Sequence, residues 1–204
     1  LIGFYLQPSV GGVILSSDFW RRFAEIDNVV AIKMAPFNRY HTLDVLRGVV
    51  LAKAEDRISL YTGNDDNIVM DLITPYEIMR GDEKVTLRIV GGLLGHWSVW
   101  VRGAVEVLRQ CKEETLSDDH LVLNGQVTDC SAAFFDVAND FAGCIAGVHE
   151  VLRRQDLLEG IWCLNPEETL SPGQLVEIDR VYRDYPELND DEFVAENLNR
   201  WLSA

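Results

Sequence analysis

An apolar run, Val29-Val30-Ala31-Ile32, closes on Lys33 and is followed by Met34-Ala35-Pro36. A continuous run of this kind reads as a parallel strand buried on both faces, with the lysine at its end. A similar run, Leu1-Ile2-Gly3-Phe4-Tyr5, ends about one βα unit upstream. Two more follow, Ile58-Ser59-Leu60-Tyr61 and Val85-Thr86-Leu87-Arg88-Ile89-Val90. Helical stretches separate them. Ser16-Ser17-Asp18 caps one that runs to about Ile26. Another spans about Thr42 to Ala54, with Leu43, Leu46, Val49 and Val50 inward. Asp65 and Asp66 are expected to open the third, where carboxylates favour the N-terminal dipole. A fourth runs from about Ser98 to Cys111. Strand alternating with helix in this way predicts parallel βα units and an α/β fold.

From about Leu116 onward the pattern is helical only. Helices are predicted over Ser131 to Ala146, over Val148 to Gln155, from Ser171-Pro172 to about Tyr185, and from Asn189-Asp190-Asp191 onward. The expected organisation is therefore residues 1–115 as four βα units and residues 116–204 as a helical segment. A net charge of −15 argues against nucleic acid and anionic membranes as partners. No run approaches a membrane span. Cys111, Cys130, Cys144 and Cys163 fall in no close-spaced metal pattern and read as reduced thiols of a cytoplasmic protein. Asp65 and Asp66 have no third clustered ligand, so neither a metal nor another cofactor is expected.

The chemistry suggested by the two runs is that of an amine and a phenol. Neighbouring parallel strands are expected to set Tyr5 and Lys33 on one face of the sheet. A deprotonated lysine attacks carbonyl carbon, and a tyrosine hydroxyl can move protons on and off the oxygen. The competing reading is a lysine that snorkels to solvent from a strand end. Arg39, just beyond the lysine run, could grip a substrate carboxylate. His41 reads as a helix-start residue, and His96, beside Trp97 and Trp100, as a packed ring or a group reaching substrate. Gly91 and Gly92 either let the backbone approach a bound ligand closely or form a tight turn.

Tyr5-Leu6-Gln7-Pro8, Ile32-Lys33, Tyr61-Thr62-Gly63-Asn64-Asp65-Asp66 and Gly91-Gly92-Leu93-Leu94-Gly95, in this order, resemble the dihydrodipicolinate synthase and N-acetylneuraminate lyase family. Those are class I pyruvate aldolases on a (β/α)8 barrel. The resemblance implies that Lys33 is the Schiff-base lysine and Tyr5 the proton-shuttling tyrosine. It implies substrate contacts at Gly91, Gly92, Leu94 and Arg39. It also implies that the chain is the C-terminal half of a TIM barrel followed by a helical segment. The preceding half would carry the family's carboxylate-binding threonine motif. The expected activity of the intact protein is that of a Schiff-base lyase or aldolase acting on pyruvate or a related 2-keto acid, with an aldehyde or sugar acid as co-substrate, in a homo-oligomer; this part alone is expected to be inactive. The alternatives are a keto-sugar-acid dehydratase and an inactive keto-acid-binding barrel. Val10 stands where the synthases carry the arginine that binds their aldehyde substrate. Ala35-Pro36-Phe37-Asn38-Arg39-Tyr40 departs from the family's usual continuation after the lysine. Both departures point away from dihydrodipicolinate synthesis itself.

Overall fold

The computed structural model describes residues 1–93, 96–113 and 115–203. They divide into two compact units, residues 1–93 with 111–121, and residues 94–110 with 122–204. The chain is a mixed α/β protein with a parallel sheet.

In the first unit the elements run β1 (Ile2–Leu6), α1 (Ser17–Ala24), β2 (Ala31–Ala35), α2 (Arg39–Leu51), β3 (Ser59–Thr62), α3 (Ile68–Ile73), β4 (Tyr76–Arg80), β5 (Glu83–Leu87) and β6 (Ile89–Gly92). Among the described residues β1, β2, β3 and β6 form one parallel sheet in that order. Ser16 caps α1, its hydroxyl accepting from the amide of Phe19, and Asn38 caps α2 by accepting from the amides of Tyr40 and His41. Helix α2 thus begins at Arg39, three residues earlier than the hydrophobic period suggests, because the asparagine side chain satisfies the first amides.

Two strand expectations are corrected. The lysine strand runs on to Ala35, so Lys33 is its middle residue rather than its end. It is also covered less completely on one face, where only Ala35 is buried. Ile32 and Met34 are fully buried while Ala31 and Lys33 are half-buried, and Val30 before them is exposed. The run Val85–Val90 is not one strand. It breaks at Arg88, whose guanidinium donates to the carbonyl of Ile73 at 3.2 Å. Residues before the break pair with β4 as an antiparallel hairpin; residues after it join the parallel sheet. The hairpin turns through Gly81-Asp82, with Gly81 at φ 63°, the left-handed first position of a type II′ turn.

Register fixes which side chains share a face. Gly3, Tyr5, Ile32, Met34, Leu60, Thr62, Ile89 and Gly92 point one way. Helix α1 lays Phe23 over Gly3, Trp20 of α1 packs on the Tyr5 ring at 5.1 Å, and Ile68 of α3 lies against Gly92. These helices therefore cover the same face. Ile32, Met34 and Leu60 are at most 2% exposed, and each contributes about 1.5–3 kcal/mol of burial free energy. The opposite face is exposed along its edge strands, at Ile2 71%, Phe4 51% and Val90 49%, is half-buried at Lys33 and Tyr61, and is buried at Ala35 and Gly91. Strands in chain order with helices on one face make a singly wound sheet, unlike the doubly wound sheets that carry helices on both faces.

The second unit is helical. It holds most of α4 (Val101–Glu113) and of α5 (Asp118–Phe134), then α6 (Cys144–Arg154), α7 (Gln174–Asp184) and α8 (Asp191–Leu202). The single helix expected over Ser131 to Ala146 is corrected to the end of α5 and the start of α6. Asp136, Asp140 and Phe141 between them all take left-handed backbone. Aspartate tolerates that region better than most residues. Here the buried Asp136 carboxylate also accepts from the amide of Gly143 at 2.9 Å, which fixes the break. Trp100, Phe134 and Tyr182 form an edge-to-face cluster with centroids 4.9 Å apart at each contact with Trp100.

Candidate functional site

The open face carries one residue from each parallel strand in a single row: Phe4, Lys33, Tyr61 and Gly91. The Lys33 ammonium lies 4.8 Å from the centre of the Phe4 ring. It has no hydrogen bond or ion pair among the described residues. Two glycines make room for this row. A Cβ at Gly63 would sit 2.8 Å from Cε of Lys33 and 3.0 Å from Cβ of Ala35. A Cβ at Gly91 would sit 2.8 Å from the Tyr61 ring. Beyond Lys33 toward the strand ends, the same face carries Leu6, Ala35 and Gly63, with Leu6 paired in register with Ala35. Phe4 and Tyr61 stand to either side. Burial pushes the Tyr61 phenol above its ordinary pKa, so it holds its proton at neutral pH. Its hydroxyl makes no hydrogen bond among the described residues.

The expected juxtaposition of Tyr5 with Lys33 is corrected. Tyr5 pairs in register with Met34, one residue beyond Lys33, and adjacent residues of a strand point to opposite faces. Tyr5 is 1% exposed among Trp20 and His41 on the helix side. Its hydroxyl donates to the Leu15 carbonyl at 3.2 Å and accepts from the Leu15 amide at 3.1 Å. It fastens the segment leading into α1 to the strand.

Arg39 is also committed elsewhere. Its guanidinium pairs with the Asp71 carboxylate of α3, which is fully buried. Asp71 accepts in addition from the Thr62 hydroxyl at 2.6 Å, Asn64 at 2.9 Å, Tyr76 at 3.1 Å and Asn67 at 3.2 Å. Asn64 in turn accepts from the amide of Phe37. This clasp joins the segment after β2 to the segment after β3. Five donors converge on this one carboxylate, so its work is positioning. The sequence signal for it was a single carboxylate inside the apolar helix Ile68-Val69-Met70-Asp71-Leu72-Ile73, since aspartate is almost never fully buried unpaired. Asp65 and Asp66 do not open α3; Asn67 occupies the cap position.

Of the glycine-rich end, Gly91 belongs to the Lys33 row, where its missing side chain admits the Tyr61 ring. Gly92 faces the helices, against Ile68 and Thr62. Leu94 lies outside the described residues. His41 stands in the first turn of α2, its ring 5.9 Å from that of Tyr5. His96 is packed between Trp97, Trp100 and Phe134, with Nδ1 3.0 Å from the Ser131 hydroxyl.

Burial lowers the pKa of His96 from 6.5 to about 3. The folded chain keeps this ring neutral while the unfolded chain protonates it below about pH 6.5. Stability from His96 is thus complete above pH 6.5 and declines as pH falls toward 3, by about 1.4 kcal/mol per pH unit. Urea melts of His96→Phe should show a shallower loss between pH 6 and pH 4 than those of the unaltered chain; parallel curves would contradict a buried neutral imidazole.

Among the described residues, no cluster of histidine, cysteine, aspartate or glutamate could hold a metal ion, and no helix is long and apolar enough to cross a membrane. The class defined here is an α/β protein that carries an unpaired lysine on the open face of a singly wound parallel sheet. A scan against protein-family models found no match, and a search of curated proteins found none either.

Proposed function

We propose that the chain supplies the amine nucleophile of a Schiff-base-forming carbon–carbon lyase acting on pyruvate or a related 2-keto acid, as the resemblance of its motifs implies. The observation that carries this reading is the placement of Lys33. Its amine has no ion pair or hydrogen bond among the described residues, and it stands on the less covered face of the sheet between Phe4 and Tyr61. In this reading the sheet contributes four strands to an eight-stranded barrel, whose interior is the face that α1, α2 and α3 leave bare. The Lys33 nitrogen adds to the keto carbon, water leaves, and the protonated imine draws electrons from the adjacent carbon. Phe4 supplies an apolar wall beside the nitrogen. Arg39, engaged with Asp71, is not assigned to the substrate carboxylate.

The chain contains only three other lysines, Lys53, Lys84 and Lys112, so the test is clean. In the intact protein, incubation with pyruvate and borohydride should leave a reduced adduct on Lys33, located by peptide mass. Lys33→Arg should abolish it, because a guanidinium stays protonated near neutral pH. An adduct on another lysine, or none with any 2-keto acid, removes the assignment.

A further inference from the structure

We propose that Tyr61, and not Tyr5, is the residue that moves protons for Lys33; this rests on the reading of Lys33 as an imine-forming nucleophile.

Three observations carry it. Tyr61 is the register partner of Lys33 on the neighbouring strand, so the two side chains rise from the same face. Its hydroxyl is uncommitted among the described residues, whereas that of Tyr5 both donates to and accepts from Leu15 on the other face. Finally, the backbone is shaped around it. Tyr61 and Gly91 pair in register just after a bulge, and any side chain at Gly91 would collide with the Tyr61 ring. A glycine that serves only a turn would not need to face that ring. Burial keeps the phenol protonated at the start of the cycle.

The protons balance as follows. The Lys33 nitrogen bonds to the keto carbon while the Tyr61 hydroxyl gives its proton to the carbonyl oxygen. The phenolate then takes a proton from the new ammonium, leaving a neutral carbinolamine and a restored phenol. A second donation from Tyr61 to the carbinolamine hydroxyl releases water and forms the protonated imine. The phenolate next removes a proton from the adjacent carbon, which gives the enamine and regenerates the phenol. One water leaves and no oxidant or reductant is needed.

The test compares the rate of borohydride trapping on Lys33 in the unaltered intact protein, Tyr61→Phe, Tyr5→Phe and Gly91→Ala, each with pyruvate across pH. Tyr61→Phe keeps the ring over Gly91 and should slow trapping by roughly 10²-fold or more, with a changed pH profile and an unchanged urea midpoint. Tyr5→Phe should trap at the normal rate with a lowered midpoint, since Leu15 loses its partner. Gly91→Ala should slow trapping by displacing the ring. Combined with Tyr61→Phe it should add nothing further to the slowing. Normal trapping in Tyr61→Phe, or slowed trapping in Tyr5→Phe alone, overturns the proposal and leaves Lys33 as nucleophile. No adduct in the unaltered protein overturns the assignment of Lys33 and the role of Tyr61 with it.

Discussion

Asp71→Ala is expected to destabilise the first unit by about 3–5 kcal/mol, the range found when one partner of a buried, hydrogen-bonded ion pair is removed. The carboxylate is wholly buried and receives Arg39, Thr62, Asn64, Asn67 and Tyr76. Its loss removes the acceptor of four donors where the segments after β2 and β3 meet, and leaves Arg39 only its longer pair with Asp66. Domains are stable by only about 5–15 kcal/mol, so the variant should be largely unfolded at modest urea concentrations. Asp66→Ala is the control. Asp66 is an exposed neighbour with its carboxylate 3.8 Å from Arg39, and its removal should shift stability by less than about 1 kcal/mol. A urea midpoint for Asp71→Ala close to that of the unaltered chain would show that the clasp contributes little.

The second large effect concerns association. The outer edges of β1 and β6 are unpaired among the described residues, and the face between them exposes Ile2, Phe4 and Val90. Unpaired strand edges beside apolar surface recruit further strands. At micromolar concentration the chain should elute from size-exclusion columns well above the mass of a monomer, increasingly so as concentration rises. The double variant Ile2→Lys, Val90→Lys places charge on the open face without touching the packed one, and should return the chain toward monomer. A concentration-independent monomer for the unaltered chain would mean that this face is content in water.

The sequence pattern located most elements and misjudged most partnerships. Parallel strands at Ile2–Leu6, Ala31–Ala35 and Ser59–Thr62 were legible because β-branched and apolar residues recur at βα spacing. The hairpin was not read, although Gly81-Asp82 is a turn signal, because Val85–Val90 looks like one continuous strand until Arg88 turns away. Tyr5 and Lys33 were set on one face by counting residues between strands. Which face a side chain takes depends on register, and a shift of one residue reverses it. Spacing along the chain cannot fix that; hydrogen bonding between strands does. Tyr61 lay inside a quoted motif, but its value as a neighbour of Lys33 appears only once β2 and β3 are paired. Arg39 was a loop cation in the sequence because its partner lies 32 residues away inside an apolar helix.

The alternation along β1, β2 and β3 also separates two kinds of inheritance. Positions 3, 5, 32, 34, 60 and 62 are bound to the helices, so each change there must be accommodated by a second change in α1, α2 or α3. Positions 2, 4, 31, 33, 59 and 61 answer to no helix. Substitutions at the latter leave the packed layer intact, so new side-chain chemistry can be tried on the bare surface while the scaffold beneath it stays the same. In this sheet the capacity to acquire a different reaction and the capacity to remain folded reside on alternate residues of the same strands.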